Sequence, residues 1–262
     1  MKKRMFFTSI IMILLLLVAV STATFAWFSA SNVVNVSVIS FKASSSHKGE
    51  QQHTEGLAIS WTPDGVDSYE IDFASNKDMR PMMPKNKPEI GESYESFMNI
   101  AEDESNFYSA SQSYDTDGGY YFYSGVVRAE SPTVCKSADG DEEFYLINKT
   151  AEFAQRITVK YEIDGENTDA LCVALFVDGE LAGIMGGSDK LYYGEIVIGE
   201  RIDSQSFAET VSKTEEITFI IPKGESVKIR LVAWYSGVDI DNNDAQKTAM
   251  LSSLQFVGDY VG

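Results

Sequence analysis

At 262 residues, with 39 acidic against 21 basic side chains, the chain has a net charge of −18, a surface that repels nucleic acid and anionic lipid. A hydrophobic fraction of 44% with 12% aromatics excludes global disorder, and two cysteines exclude a disulfide scaffold. What remains is long enough to bury a full core.

The chain opens on Lys2, Lys3 and Arg4, followed by residues 5–28 without a single charge and an unbroken apolar run over 10–20. Small residues then accumulate (Ser21, Thr22, Ala23, Thr24, Ala26). A basic start, an apolar stretch and a small-residue end are the parts of a secretory signal peptide. Thr24 and Ala26 fill the −3 and −1 positions for cleavage before Trp27, with Ser21 and Ala23 as a second site. Retained instead of cut, residues 5–28 are long enough to span a bilayer as a helix and to serve as a membrane anchor. The division expected is a signal peptide at 1–26, an N-terminal strand and linker at 27–56, and a β-sandwich domain at 57–262.

Behind the leader, period-two alternation replaces helical periodicity. Val34, Val36 and Val38 alternate with polar residues and predict a strand over about 33–42, followed by a polar linker at 44–56. Segments 57–61 and 69–73 flank a turn at Pro63-Asp64-Gly65 and predict two strands. Residues 74–119 differ: Pro81, Pro84 and Pro88 crowd together, polar residues abound, and 94–101 is the one helical patch. This stretch is expected to be a long insertion packed on the sandwich. From 120 on, strands are predicted at 120–128, 144–148, 157–163, 170–177, 180–185, 192–198, 216–221, 226–234 and 254–261. The strongest hairpin signal is Asp178-Gly179, since both residues accept positive φ. The fold class expected is all-β: an antiparallel β-sandwich, jelly-roll-like, after an N-terminal apolar signal helix.

At Ala23-Thr24-Phe25-Ala26-Trp27-Phe28-Ser29 the chain resembles the A-T-x-A-x-F-s signature of exported proteins processed by the SipW-type signal peptidase of Gram-positive bacteria, the TasA and camelysin group. Residues 170–179, Val232-Ala233-Trp234, Asp239-Ile240-Asp241 and the final strand with Phe256 are similar to clostridial relatives of that group. The resemblance implies a secreted protein of the cell surface or biofilm matrix, associated with fibres. The metalloprotease label carried by camelysins finds no zinc motif in this chain.

Catalytic constellations are thin. The two histidines, His47 and His53, lie in the polar linker, H-E-x-x-H is absent, and a catalytic zinc site needs three fixed protein ligands. A Ser/His or Cys/His nucleophilic system fails for want of a histidine in the β core. No carboxylate pair stands out as a glycosidase couple. The expectation is a protein that is not an enzyme, with no catalytic residues and no cofactor. The run from Asp239 through Asp241 and Asn243 to Asp244 offers alternating hard oxygens suited to Ca²⁺, yet lacks an EF-hand's glycine and glutamate; an acidic Asx turn has the same composition, and both readings stay open. Asn35-Val36-Ser37 and Asn148-Lys149-Thr150 match the glycosylation sequon. Cys172 lies in an apolar run and Cys135 in a polar turn region.

The last candidate is the mature N-terminus. Trp27, Phe28, Val34, Val36, Val38 and Phe41 form an apolar strand on a polar tether. Such a strand either pairs in its own sheet or adds to an open groove of a neighbour, and heterologous addition builds a filament. The partners expected are further copies of the chain and, during export, a signal peptidase. No nucleic acid is expected, and membrane contact only through residues 5–28 if these are retained. An alternative is a monomeric, surface-displayed sandwich that binds a glycan or Ca²⁺. The location expected is extracellular, at the surface of a Gram-positive-type bacterium.

Overall fold

A computed structural model describes residues 32–36, 56–63, 81–99, 105–110, 125–165, 168, 171–186, 190–194, 201–202, 209–214, 216–236 and 249–261. Within these, the chain is all-β with one short helix. Sixteen strands are assigned: β1 (Asn32–Val36), β2 (Leu57–Ser60), β3 (Pro81–Pro84), β4 (Phe107–Ala110), β5 (Gly125–Glu130), β6 (Thr133–Val134), β7 (Glu143–Asn148), β8 (Ala154–Gly165), β9 (Leu171–Val177), β10 (Glu180–Gly186), β11 (Lys190–Tyr193), β12 (Arg201–Ile202), β13 (Glu209–Ser212), β14 (Thr218–Ile221), β15 (Ser226–Ser236) and β16 (Ala249–Val261), with helix α1 at Tyr94–Met98.

Two sheets face one another. The smaller has four strands in the order β1-β16-β8-β14, and the larger follows β10-β9-β15-β3-β4-β5-β12, with β2, β6 and β7 attached at its side. Pairings are antiparallel except β3 on β15. The inner core fills the space between the sheets: Ile157, Val159, Leu254 and Phe256 from the small sheet meet Val173, Leu175, Ile229 and Leu231 from the large one.

The central strand β9 explains why its sequence does not alternate. Leu171, Val173 and Leu175 enter the inner core, while Cys172, Ala174 and Phe176 enter a second, outer core on the opposite face. A strand buried on both faces reads as a continuous apolar run. The outer core is roofed by Phe97 of α1, Phe107 of β4 and Leu191 of β11, packed on Trp234. Phe97 stands 5.4 Å from Phe107, 5.2 Å from Phe176 and 6.0 Å from Trp234 between ring centroids, within the range of favourable edge-on aromatic packing.

The described parts of 74–119 therefore form the roof of the larger sheet and also join it. Strands β3 and β4 are not among the expected elements; in β3 prolines count against a strand, and Pro81 takes the first position, where proline is tolerated, with Pro84 at the other end. Helix α1 is shorter than the expected 94–101. Ser93 caps it by accepting a hydrogen bond from Ser96 N, and Asn99 ends it in the left-handed conformation at φ 45°. Backbone bonds from Tyr94 N to Gly179 O and from Leu181 N to Glu92 O, each 2.8 Å, dock the helix on the β9–β10 hairpin. In that hairpin Asp178 and Gly179 have φ of 50° and 86°, as the Asp-Gly turn requires.

Other boundaries moved. Strands β8 and β16 pair along almost their whole lengths and are longer than the expected 157–163 and 254–261; β8 gains Gln155, Arg156, Asp164 and Gly165, which carry no hydrophobic signal, and β16 gains residues 249–253, paired onto β8 with a register shift between Leu251 and Ser253. The strand expected at 192–198 begins at Lys190 and pairs with β13, which was not foreseen. Cys135 is no surface turn residue: it is fully buried in the inner core, while Cys172 is fully buried in the outer one. Neither thiol is in a disulfide, and the two lie on opposite faces of the large sheet. The strand expected at 69–73 and the aromatic run 120–123 lie outside the described residues.

Candidate functional site: the β1 edge and the Asn148 anchor

Of the apolar N-terminal segment, Val34 and Val36 fall in the described strand β1. It pairs antiparallel with β16 of the same chain, Val34 opposite Phe256 and Val36 opposite Leu254. These partners are 0% and 1% exposed and belong to the inner core. On its other side β1 lies near β2, so it stands where the rims of the two sheets approach each other. Among the described residues β16 is its one sheet partner, which makes it an edge strand. An edge strand presents one row of backbone groups to whatever comes next.

The remaining predicted site residues are not brought to this edge by anything described. The cleavage positions Thr24, Ala26 and Trp27, the assembly residues Phe28, Val38 and Phe41, the Ca²⁺ candidates Asp239, Asp241, Asn243 and Asp244, and His47 and His53 all lie outside the described residues. Among the described residues no group of three His, Cys, Asp or Glu side chains could hold a metal ion. Likewise, among the described residues no helix is long and apolar enough to cross a membrane.

A feature that sequence reasoning passed over anchors the point where the N-terminal arm joins the body. Asn148, read from sequence only as part of a sequon, is 0% exposed at the end of β7. Its Nδ2 donates to Phe153 O at 2.9 Å, Ile221 O at 3.2 Å and Pro222 O at 3.0 Å. Its Oδ1 accepts from Thr150 N at 3.0 Å, Thr150 Oγ1 at 2.7 Å and Gln155 Nε2 at 3.0 Å. Gln155 Nε2 also donates to Gly56 O at 3.0 Å, so the network grips the residue that opens β2. Gly56 has φ 101°, and a Cβ there would stand 2.8 Å from Thr150 Cγ2, so only glycine fits the junction. With its amide spent internally, Asn148 is closed to glycan attachment. The Asn-x-Thr spacing was itself the signal, since this pair forms an Asx turn.

A charged stack marks the end of α1. The Arg230 guanidinium lies 3.9 Å from the centre of the Tyr94 ring, and its Nη2 donates to Glu143 Oε1 at 2.8 Å. Burial pushes the Tyr94 phenol pKa above its usual 10.0, and the nearby Arg230 charge offsets part of that rise. Cation, ring and carboxylate pack together here, while Arg230 Nε is buried without a hydrogen-bond partner among the described residues.

No protein-family profile matches the chain, and no curated protein matches it. Among solved structures, the functional form of the mosquito-larvicidal Cry4Aa toxin from Bacillus thuringiensis is similar at 12% identity over 45% of this chain and 18% of that one, with a TM-score of 0.23. At that score the likeness carries no argument about fold or function.

Proposed function

We propose that this is an exported, non-enzymatic structural protein of the cell surface or extracellular matrix, which assembles into fibres by exchanging its N-terminal strand between copies. The observation that carries this reading is the position of β1: an edge strand whose register partners, Leu254 and Phe256, are core residues. If β1 leaves, β16 is bared along one side, and β2, which lies near β1, borders the same opening. The opening then fits the same strand from another copy, held by backbone hydrogen bonds along the bared edge of β16. Each donor has its own opening filled by the next, so the contact is heterologous and propagates. Residues 37–55 between β1 and β2 have a contour of about 60 Å, enough to bridge two bodies. The leader at 1–26 and the resemblance of 23–29 to the TasA and camelysin signature support export and a matrix role.

The test compares mature protein with a variant lacking residues 27–43, followed by light scattering and electron microscopy. The variant should remain short of fibres, and a peptide covering 27–43, added in excess to the parent, should arrest growth. Equal polymerisation by parent and variant would dismiss strand exchange.

A further inference from the structure

A cavity of about 290 Å³ opens between β10, the β11–β13 ribbon and the segment leading into α1. Leu181, Ile184, Leu191 and Val211 supply apolar lining, and Lys87 and Glu89 stand exposed beside it. Lys213 and Thr214 complete one wall. Thr214 Oγ1 is occupied, accepting from Ile184 N at 3.3 Å. Lys213 is not: its Nζ is buried and has no hydrogen-bond partner among the described residues. It lies against the edge of β10, where a Cβ at Gly186 would collide with it.

A buried ammonium without an acceptor is strongly unfavourable, and proteins normally supply a counter-ion. Here the ammonium is packed against Gly186 next to an apolar space at the small end of the range for organic ligands, and it meets a ligand there by turning its flexible side chain toward the cavity that Lys213 helps to line. The global charge of −18 narrows the choice of anion. A polyphosphate or dicarboxylate would meet long-range repulsion that a single negative charge largely escapes. Glu89 opposes an anion locally, while Lys87 and Lys213 attract it.

We propose that this cavity binds a small aliphatic monocarboxylate of roughly ten non-hydrogen atoms, its chain against Leu181, Ile184, Leu191 and Val211 and its carboxylate paired with Lys213. The ligand class is that of short- and medium-chain fatty acids. The site is remote in the fold from β1 and does not depend on strand exchange.

Octanoate is the probe, titrated into mature full-length protein by calorimetry, with octan-1-ol and octylamine as controls. Octanoate should bind and raise the thermal midpoint, while octylamine does neither. The K213M variant should fold at least as well as the parent, having lost an unpaired buried charge, yet bind octanoate about tenfold or more weaker. V211W, which fills the cavity from its rim, should abolish binding, and it stands in for K213M if that variant misfolds. No octanoate binding at millimolar concentration, equal binding of octanol, or octanoate affinity unchanged by K213M or V211W would each overturn the assignment.

Discussion

Replacing Asn148 by alanine tests whether the junction between arm and body is held as described. In the wild type this side chain completes six hydrogen bonds, but not all are lost outright. Thr150 Oγ1 keeps Phe153 O at 2.8 Å, and Gln155 Nε2 keeps Gly56 O at 3.0 Å. Pro222 O keeps the amide of Glu225 at 3.2 Å. What the substitution orphans is the Thr150 amide and one hydrogen of Gln155 Nε2, at about 1–2 kcal/mol each, with a small cavity besides. N148A should therefore lose about 3 kcal/mol in urea unfolding followed by tryptophan fluorescence. N148D sharpens the test, because it keeps an acceptor for Thr150 but turns a carboxylate oxygen toward Phe153 O, Ile221 O and Pro222 O. The surrounding carbonyls favour its protonated form, so its folded pKa lies above the unfolded one. The variant should then be closest to wild type below the unfolded pKa and fall away as pH rises through the folded one. A loss under about 1 kcal/mol in N148A, or a flat pH profile of the N148D deficit, would refute the network's role.

The outer core gives a second expectation: F97A removes a fully buried ring in contact with three others and should lose about 3–5 kcal/mol, read by thermal and urea unfolding. A loss near zero would mean that α1 is not seated on the sheet. Tyr94 supplies a pH signature. Its raised pKa means that the stability it contributes is complete below the unfolded value and is lost as pH climbs through the folded one, so alkaline unfolding should be less steep in Y94F. The two cysteines, each 0% exposed, should resist a thiol reagent in native protein and react together on unfolding, with no change in thermal midpoint on adding reductant.

How much of this was legible depends on whether a residue's partner lies close in sequence. The run Leu171–Val177 and the Asp178-Gly179 turn announced a buried hairpin, since both signals are local. The all-β class followed from alternation that the sheets do bury, as in β7, where Phe144, Leu146 and Asn148 point inward and Glu143, Tyr145 and Ile147 do not. What could not be read was anything decided at long range. Prolines at both ends of β3 hid a strand that pairs with β15, more than 150 residues away, in parallel. Asn148 reaches Ile221 and Pro222 across 73 and 74 residues, a link no window can contain. Cys135 sits among polar neighbours in sequence but is covered by the opposite sheet. The cavity at Lys213 is likewise made by four separate segments, none of which carries a ligand motif of its own.

Strand exchange itself rests on a balance of tethering that can be worked out. In its own body and in a neighbour's, β1 would make the same contacts with Leu254 and Phe256, so their strength does not choose between the two. The tether chooses: a short flexible link holds the strand near its own opening at an effective concentration of about millimolar. Gly56 packs near Gln155 and Tyr260, beyond the Gly258 that faces Asn32, whereas β1 ends at Val36 opposite Leu254. The distance from Val36 to Gly56 is therefore at least the length of β1, about 15 Å at 3.3 Å per residue. A variant lacking 38–55 keeps one tether residue, with a reach of about 7 Å, and cannot span that distance. Its strand can enter only another copy's opening. Analytical ultracentrifugation should find this variant in dimers or longer chains at concentrations where the parent sediments as a monomer. If it stays monomeric with native near-ultraviolet circular dichroism, the opening beside β16 does not need β1, and exchange of that strand cannot be what joins the copies.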